Sequence, residues 1–182
     1  MQLLRHGQSH FNKHFSVTRQ DPGIIDPALT ADGRRQIAAV AEELAKRGPS
    51  GRGPTWQRII VSPYWRALET AEIIGKRLGL PIEVEPLVRE RAFFACDIGS
   101  PRSELEQRFP EVAYGALPEV WWPHPDESEG SLLERCARFR MAWAHRKDWT
   151  SVLVVTHWGF IRGLTGRSVE NGTLLAFDPT LA

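Results

Sequence analysis

Two arginines and two histidines stand in three short clusters of this chain, and their chemistry suits a phosphate group. Arg5-His6 closes the first apolar run of MQLLRHGQSHFN. Arg66 follows Ser62-Pro63 after Arg58-Ile59-Ile60-Val61, and Thr156-His157 ends the run Val152-Leu153-Val154-Val155. A guanidinium fork binds oxyanions bidentately through charge-assisted hydrogen bonds, and a neutral imidazole is a nucleophile. Each cluster also has a plain structural reading. Arg66 could pair with Glu69 or Glu43 on a solvated surface, and His157 could be a hydrogen-bonded residue closing a core strand. The histidines lack the helical i, i+4 spacing of a zinc site. Only convergence of the three clusters would turn them into a site.

Each cluster sits where a strand should end. Residues 1–5 are enough for a short strand, and Gly7 lets the chain turn sharply behind it. Thr30 is a candidate N-cap for an amphipathic helix with Ile37, Val40, Ala41 and Leu44 on one face, stopped by Gly48-Pro49. After the loop PSGRGPT at 49–55, residues 58–61 read as a buried strand. Ser62 as N-cap and Pro63 at the first helical position predict a helix to about Leu78, with Ala67, Leu68, Ala71 and Ile74 facing the core. A strand at 81–85 and a short helix around 100–109 come next, then the Pro- and Trp-rich LPEVWWPHP. Leu132, Leu133, Cys136, Phe139 and Trp143 restore helical spacing from Ser131, and 152–155 is a β-branched run of the kind buried in mid-sheet. Phe160, Ile161 and Leu164 begin a last helix.

Strands alternating with helices predict an α/β fold, a three-layer α/β/α sandwich with a mainly parallel central sheet. In such sheets ligands bind outside the carboxyl ends of the strands, where all three clusters fall. The helix N-terminus after His157 would add partial positive charge there. At 182 residues the default is a single domain, residues 1–182, with a crossover, lid-like segment at about 91–128. The formal net charge of +1 gives no global case for nucleic acid or an anionic membrane, so any anion affinity must be local. Cys96 and Cys136 fit neither a CxxC metal pattern nor a disulfide framework. Arg5 and His6 end the apolar start too early for a signal peptide, and no run approaches the roughly 18 apolar residues of a membrane span. The expected location is cytoplasmic.

Leu4-Arg5-His6-Gly7-Gln8-Ser9, with Asn12 beyond it, resembles the signature of the histidine phosphatase superfamily, the phosphoglycerate-mutase-like enzymes. Further segments match in order. Residues 26–33, DPALTADG, are similar to the family's L-T-x-x-G element, and 62–71, SPYWRALETA, to its S-P-x-x-R-A-x-x-T-A helix start. Val155-Thr156-His157-Trp158-Gly159 resembles its second histidine, and Glu127-Ser128 with Arg135 its weaker E-S pair. The resemblance implies that His6 is the nucleophile, forming a phosphohistidine that water hydrolyses. Arg5, Asn12, Arg66 and His157 would hold the phosphoryl oxygens, with flanking arginine charge keeping His6 neutral. Glu90 would be the general acid and then the base, with Glu85 or Asp97 as alternatives. Ser9, Arg91 and Trp158 are candidate substrate contacts. No metal and no cofactor are required, since the side chains supply the positive charge.

The function this implies is a phosphatase hydrolysing a small-molecule phosphomonoester, with no nucleic-acid or membrane partner; a homodimer is compatible with it. Two alternatives stay open. One is a phosphoglycerate mutase, disfavoured by Ala92-Phe93-Phe94 in place of the mutases' aromatic-glycine pattern and by the short interval from Glu90 to His157. The other is a noncatalytic phospho-ligand or protein-binding module. Trp121-Trp122-Pro123-His124-Pro125 reads as packing against a neighbouring element rather than as a substrate wall.

Overall fold

The computed structural model describes residues 1–46, 56–123 and 126–181. Strands β1 (Gln2–Arg5), β2 (Arg58–Val61), β3 (Ile82–Val84), β4 (Val112–Ala113), β5 (Val152–Thr156) and β6 (Leu174–Ala176) form one sheet, ordered β4-β3-β2-β5-β1-β6. The pairings among β1 to β5 are parallel, and β6 runs antiparallel along β1 at the edge. The helices are α1 (His10–Thr18), α2 (Ala31–Lys46), α3 (Trp65–Leu78), α4 (Arg102–Arg108), α5 (Glu129–Ala144) and α6 (Trp158–Thr165).

Strand residues alternate between two apolar cores, as a period of two requires. Leu4, Ile59, Val61, Leu153 and Val155 pack with Ile37, Ala41 and Leu44 of α2, with α3, and with Leu105 of α4. Leu3, Ile60, Val152 and Val154 pack on the other face with Leu132, Phe139 and Trp143 of α5 and Phe160 and Ile161 of α6. The result is the expected α/β/α sandwich.

Several boundaries differ from the sequence reading for identifiable reasons. Helix α3 starts at Trp65 with Tyr64 as its N-cap residue, not at Ser62. The Trp65 N–H donates instead to Asp26 Oδ1 at 2.9 Å, a partner from another segment, and the Ser62 hydroxyl is engaged by His157. Helix α5 begins earlier than Ser131, because Ser128 caps it by accepting from the Ser131 N–H. Helix α1 has no wide apolar stripe, since Phe11 is its one buried residue. It is set by a capping box: Ser9 Oγ accepts from Asn12 N–H at 3.2 Å, and Asn12 Oδ1 accepts from Ser9 N–H at 3.1 Å. The short edge strands β4 and β6 carry too few residues to show a period.

Within the 91–128 segment the described residues divide. Leu105, Phe109, Tyr114, Leu117 and Trp121 join the core on the α3 side, whereas residues 91–97 run along the carboxyl edge of the sheet. Trp121 stands edge-on to Tyr64 at 4.7 Å and donates to the Ser100 carbonyl at 2.9 Å, which is packing, as expected. The loop at 49–55 and His124-Pro125 lie outside the described residues.

Candidate active site

Parallel strands bring the three clusters to one edge. Beyond the last pair of β1 and β5, the His6 N–H donates to the Thr156 carbonyl at 3.0 Å. Beyond β2 and β5, the Ser62 N–H donates to the Val155 carbonyl at 3.1 Å. His6, Ser62 and His157 are therefore neighbours, and the two imidazoles lie with centroids 4.9 Å apart. His157 Nε2 and Ser62 Oγ are hydrogen-bonded at 2.7 Å. Gly33, in the L-T-x-x-G stretch, lets α2 meet this edge, because a Cβ there would collide with the Gln8 backbone.

The His6 ring has a defined tautomer. Its Nδ1 lies 2.7 Å from the Gly7 carbonyl oxygen, which can only accept, so Nδ1 carries the proton and Nε2 keeps its lone pair. Burial first, then the charges of Arg66 and Arg5, hold the His6 pKa well below the ordinary imidazole value. Burial, Arg66 and His6 do the same to His157. Both rings are neutral at pH 7.

A cavity of about 630 Å³ opens at this edge. Among the sequence-predicted residues, Arg5, His6, Asn12, Arg66, Glu90, Arg91, Asp97 and Trp158 line it. His157 is fully buried immediately behind His6 and does not line the cavity. Ser9 does not line it either; it is fully buried as the cap of α1. Two buried nitrogens here, Arg5 Nε and His157 Nδ1, have no hydrogen-bond partner. Arg5 is otherwise anchored by a 2.7 Å bond to the Val169 carbonyl.

Arg66 is 3% exposed and held from below. It donates to the Cys96 carbonyl at 2.7 Å and to Asp97 Oδ1 at 3.0 Å, and its guanidinium lies 4.4 Å from the centre of the Tyr64 ring. Asp97 Oδ2 accepts from the Phe93 and Phe94 N–H groups, both at 3.1 Å. Both oxygens of Asp97 are thus committed as counterion and loop clasp. Glu85 Oε1 accepts from the Leu87 N–H at 2.9 Å and caps a short turn away from the cavity. Glu90 is different. It lines the cavity, its Oε1 accepts from the Arg91 N–H at 2.8 Å, and burial first, then the charge of Asp97, raises its pKa above the usual carboxylate range.

The Glu90 loop is held by a buried ion pair. Arg135 grips Glu127 with two bonds of 2.9 and 2.7 Å and donates to the carbonyls of Leu87, Arg89 and Glu90 at 2.7, 2.8 and 3.3 Å. The E-S pair and Arg135 noted in the sequence therefore position the loop that carries Glu90. Gly159 faces Glu90 from α6, and a Cβ there would collide with Glu90 Oε1.

Asn171 is a site residue that the sequence reading missed. Its Nδ2 donates to the His6 carbonyl at 2.9 Å and to Asn12 Oδ1 at 3.1 Å, tying the loop before β6 to the turn that carries His6. The Asn171-Gly172 dipeptide, a turn signal with Gly172 at φ 72°, was its only trace in the sequence. Four phenylalanines around the cavity, Phe11, Phe15, Phe93 and Phe94, were missed as well. Among the described residues no group of three or more His, Cys, Asp or Glu side chains converges as a metal site.

Comparison with known proteins bears on the family and the fold. Residues 1–178 match the model of the histidine phosphatase superfamily (branch 1). A glucosyl-3-phosphoglycerate phosphatase of Mycolicibacterium vanbaalenii is 30% identical, over 95% of this chain and 77% of that protein. The uncharacterized phosphatase PhoE of Bacillus subtilis is 29% identical, over 89% of this chain and 73% of its own length. Among solved structures, the ecdysone phosphate phosphatase from Bombix mori, in complex with tungstate, shares the fold with a TM-score of 0.70 at 18% identity, covering 95% of this chain and 86% of that one.

Proposed function

The chain belongs to the histidine phosphatase superfamily, and from that premise we propose that it hydrolyses small-molecule phosphomonoesters through a phosphohistidine on His6. The observation that carries the reading is the His6 tautomer: Nδ1–H is tied to the Gly7 carbonyl, leaving the Nε2 lone pair on a ring kept neutral beside two arginines. Nε2 attacks phosphorus, the P–O ester bond breaks, and the leaving oxygen takes the proton of Glu90. Water then attacks the phosphorus of phospho-His6, giving its proton to the Glu90 carboxylate as the P–N bond breaks and inorganic phosphate leaves.

Arg5 and Arg66 hold the phosphoryl oxygens, with Asn12 as a neutral donor, and their charge stabilises the transferring group. His157, hydrogen-bonded to Ser62, backs His6 from outside the cavity and keeps a neutral ring behind it. The commitment of Asp97 to Arg66 and of Glu85 to its turn supports Glu90 as the proton donor. Residues 1–182 act as one domain, in which the 91–128 crossover supplies a wall of the site. The protein works in the cytoplasm.

The test is phosphate release from p-nitrophenyl phosphate and alkyl phosphates with chelator present, together with acid quenching to trap phosphoenzyme. His6→Ala should abolish both turnover and the acid-labile phosphoenzyme. Activity of His6→Ala near that of the parent protein overturns the nucleophile, and loss of turnover on chelation overturns the metal-free mechanism. Conversion of 3-phosphoglycerate to its 2-isomer without phosphate release would establish the mutase reading instead.

A further inference from the structure

We infer that the alcohol released from the substrate is apolar and carries a ring, an arylalkyl alcohol or a phenol rather than a polyhydroxy or carboxylated one. The inference rests on the phosphatase reading above and adds its substrate class. Its observation is an aromatic cluster that lies outside both apolar cores of the sandwich. Phe94 lies 5.3 Å from Phe11, 5.2 Å from Phe15 and 4.9 Å from Phe93, and Phe11 stacks on Phe15 at 5.2 Å. All four rings line the cavity, and none belongs to either apolar core of the sandwich. Trp158, 37% exposed, contributes a fifth ring from α6, fixed by a 2.7 Å bond from its indole N–H to Ser168 Oγ.

These rings come from three elements: α1, the loop ahead of Asp97 and the start of α6. Their positions are tied to the chemistry, since the same Asp97 that anchors Arg66 also clasps the Phe93 and Phe94 N–H groups. Phe93 remains 57% exposed in the free protein, an apolar surface left facing solvent at the cavity. An apolar ring on the leaving side would remove that surface from water and stack against it. A polyhydroxy leaving group would lose water from hydroxyls that phenylalanine cannot satisfy. Two cations at this wall lie against its rings. Arg91 donates to the Glu127 carbonyl at 2.9 Å and lies 5.8 Å over the Phe93 ring, and Arg19 lies 5.9 Å over Phe15.

The experiment compares kcat/KM for benzyl phosphate with that for glycerol 1-phosphate and 3-phosphoglycerate on the intact chain. Benzyl alcohol and glycerol are both primary alcohols, so the comparison isolates binding of the leaving group from its departure. Benzyl phosphate should be preferred by about 10- to 100-fold, the range that apolar pockets achieve. In Phe93→Ala and Phe94→Ala that preference should shrink several-fold. The exposed Phe93 serves as the variant least able to disturb folding. Equal kcat/KM for the three substrates, or preference for either polar one, overturns the inference while leaving phosphatase activity in place. A preference unchanged in both variants also overturns it. No phosphate release from any of them overturns the phosphatase reading and the inference with it.

Discussion

As the proposed proton donor, Glu90 would act as acid toward a leaving oxygen and then as base toward water, and its surroundings set that balance. Burial and the neighbouring Asp97 charge raise its pKa, so its acid form persists closer to neutrality than that of an ordinary glutamate. His6 is shifted the other way and stays neutral through the same range. The sign follows: hydrolysis of an alkyl phosphate should fall as pH rises through the Glu90 pKa, with no acid limb from His6 protonation near neutrality. p-Nitrophenolate needs little protonation to leave, so its basic limb should be weaker. Glu90→Gln should slow the alkyl phosphate by about 10²- to 10⁴-fold and remove that limb. Each profile is first corrected for its own substrate's phosphate ionisation, which differs between the aryl and alkyl esters, and the ratio of the corrected profiles then isolates the enzyme's limb. A flat ratio, together with equal slowing of both substrates in Glu90→Gln, would assign the proton to another group.

At the scale of elements, the site depends on how α5 and α6 meet the loop at 87–91. Gly159 leaves room for Glu90 Oε1, and Arg135 fastens the loop's carbonyls to the buried Glu127. These contacts should separate in mutants. Gly159→Ala pushes the carboxylate aside, so kcat for alkyl phosphates should drop at least tenfold with only a small loss of stability. Arg135→Ala removes one of the two arginines that pair with buried Glu127, leaving Arg89 at 3.0 Å, and should destabilise by about 3 kcal/mol, the low end for breaking a buried ion pair. Urea melts of both variants beside their kinetics decide this. A Gly159→Ala enzyme with parental kcat would show that the close approach is unimportant to catalysis.

Across the whole molecule, the strand order explains why distant segments share one site. β5 lies between β1 and β2, so the residues that follow all three strands emerge side by side, with α1 and the 91–97 stretch completing the cavity. Positive side chains gathered there should bind inorganic phosphate in the folded state only. At phosphate a hundredfold above its Kd, linkage gives about 2.7 kcal/mol, which raises Tm by about 5–11 °C for a chain of this size. Chelator should leave the shift intact, and Arg5→Ala should reduce it. Absence of any shift, or its loss on chelation, would count against a site built from arginine and histidine alone.

The sequence by itself determined the sandwich class, the main helices and buried strands, and most of the charged residues that line the cavity, because local periodicity, caps and short motifs encode them. It also placed Arg5-His6, Ser62 to Arg66 and Thr156-His157 at strand ends, where parallel sheets bind ligands. It could not reveal α1 or β6, whose residues carry little periodic signal, nor the true start of α3, whose first N–H is satisfied by the distant Asp26. Partners were likewise hidden. That Asp97 belongs to Arg66, that Asn171 braces His6, and that four phenylalanines gather outside the cores are all contacts between segments remote in sequence. Such contacts follow from strand order and helix docking, which no local pattern specifies, and so the tertiary structure alone decided the electrostatics of the cavity and its phenylalanine wall.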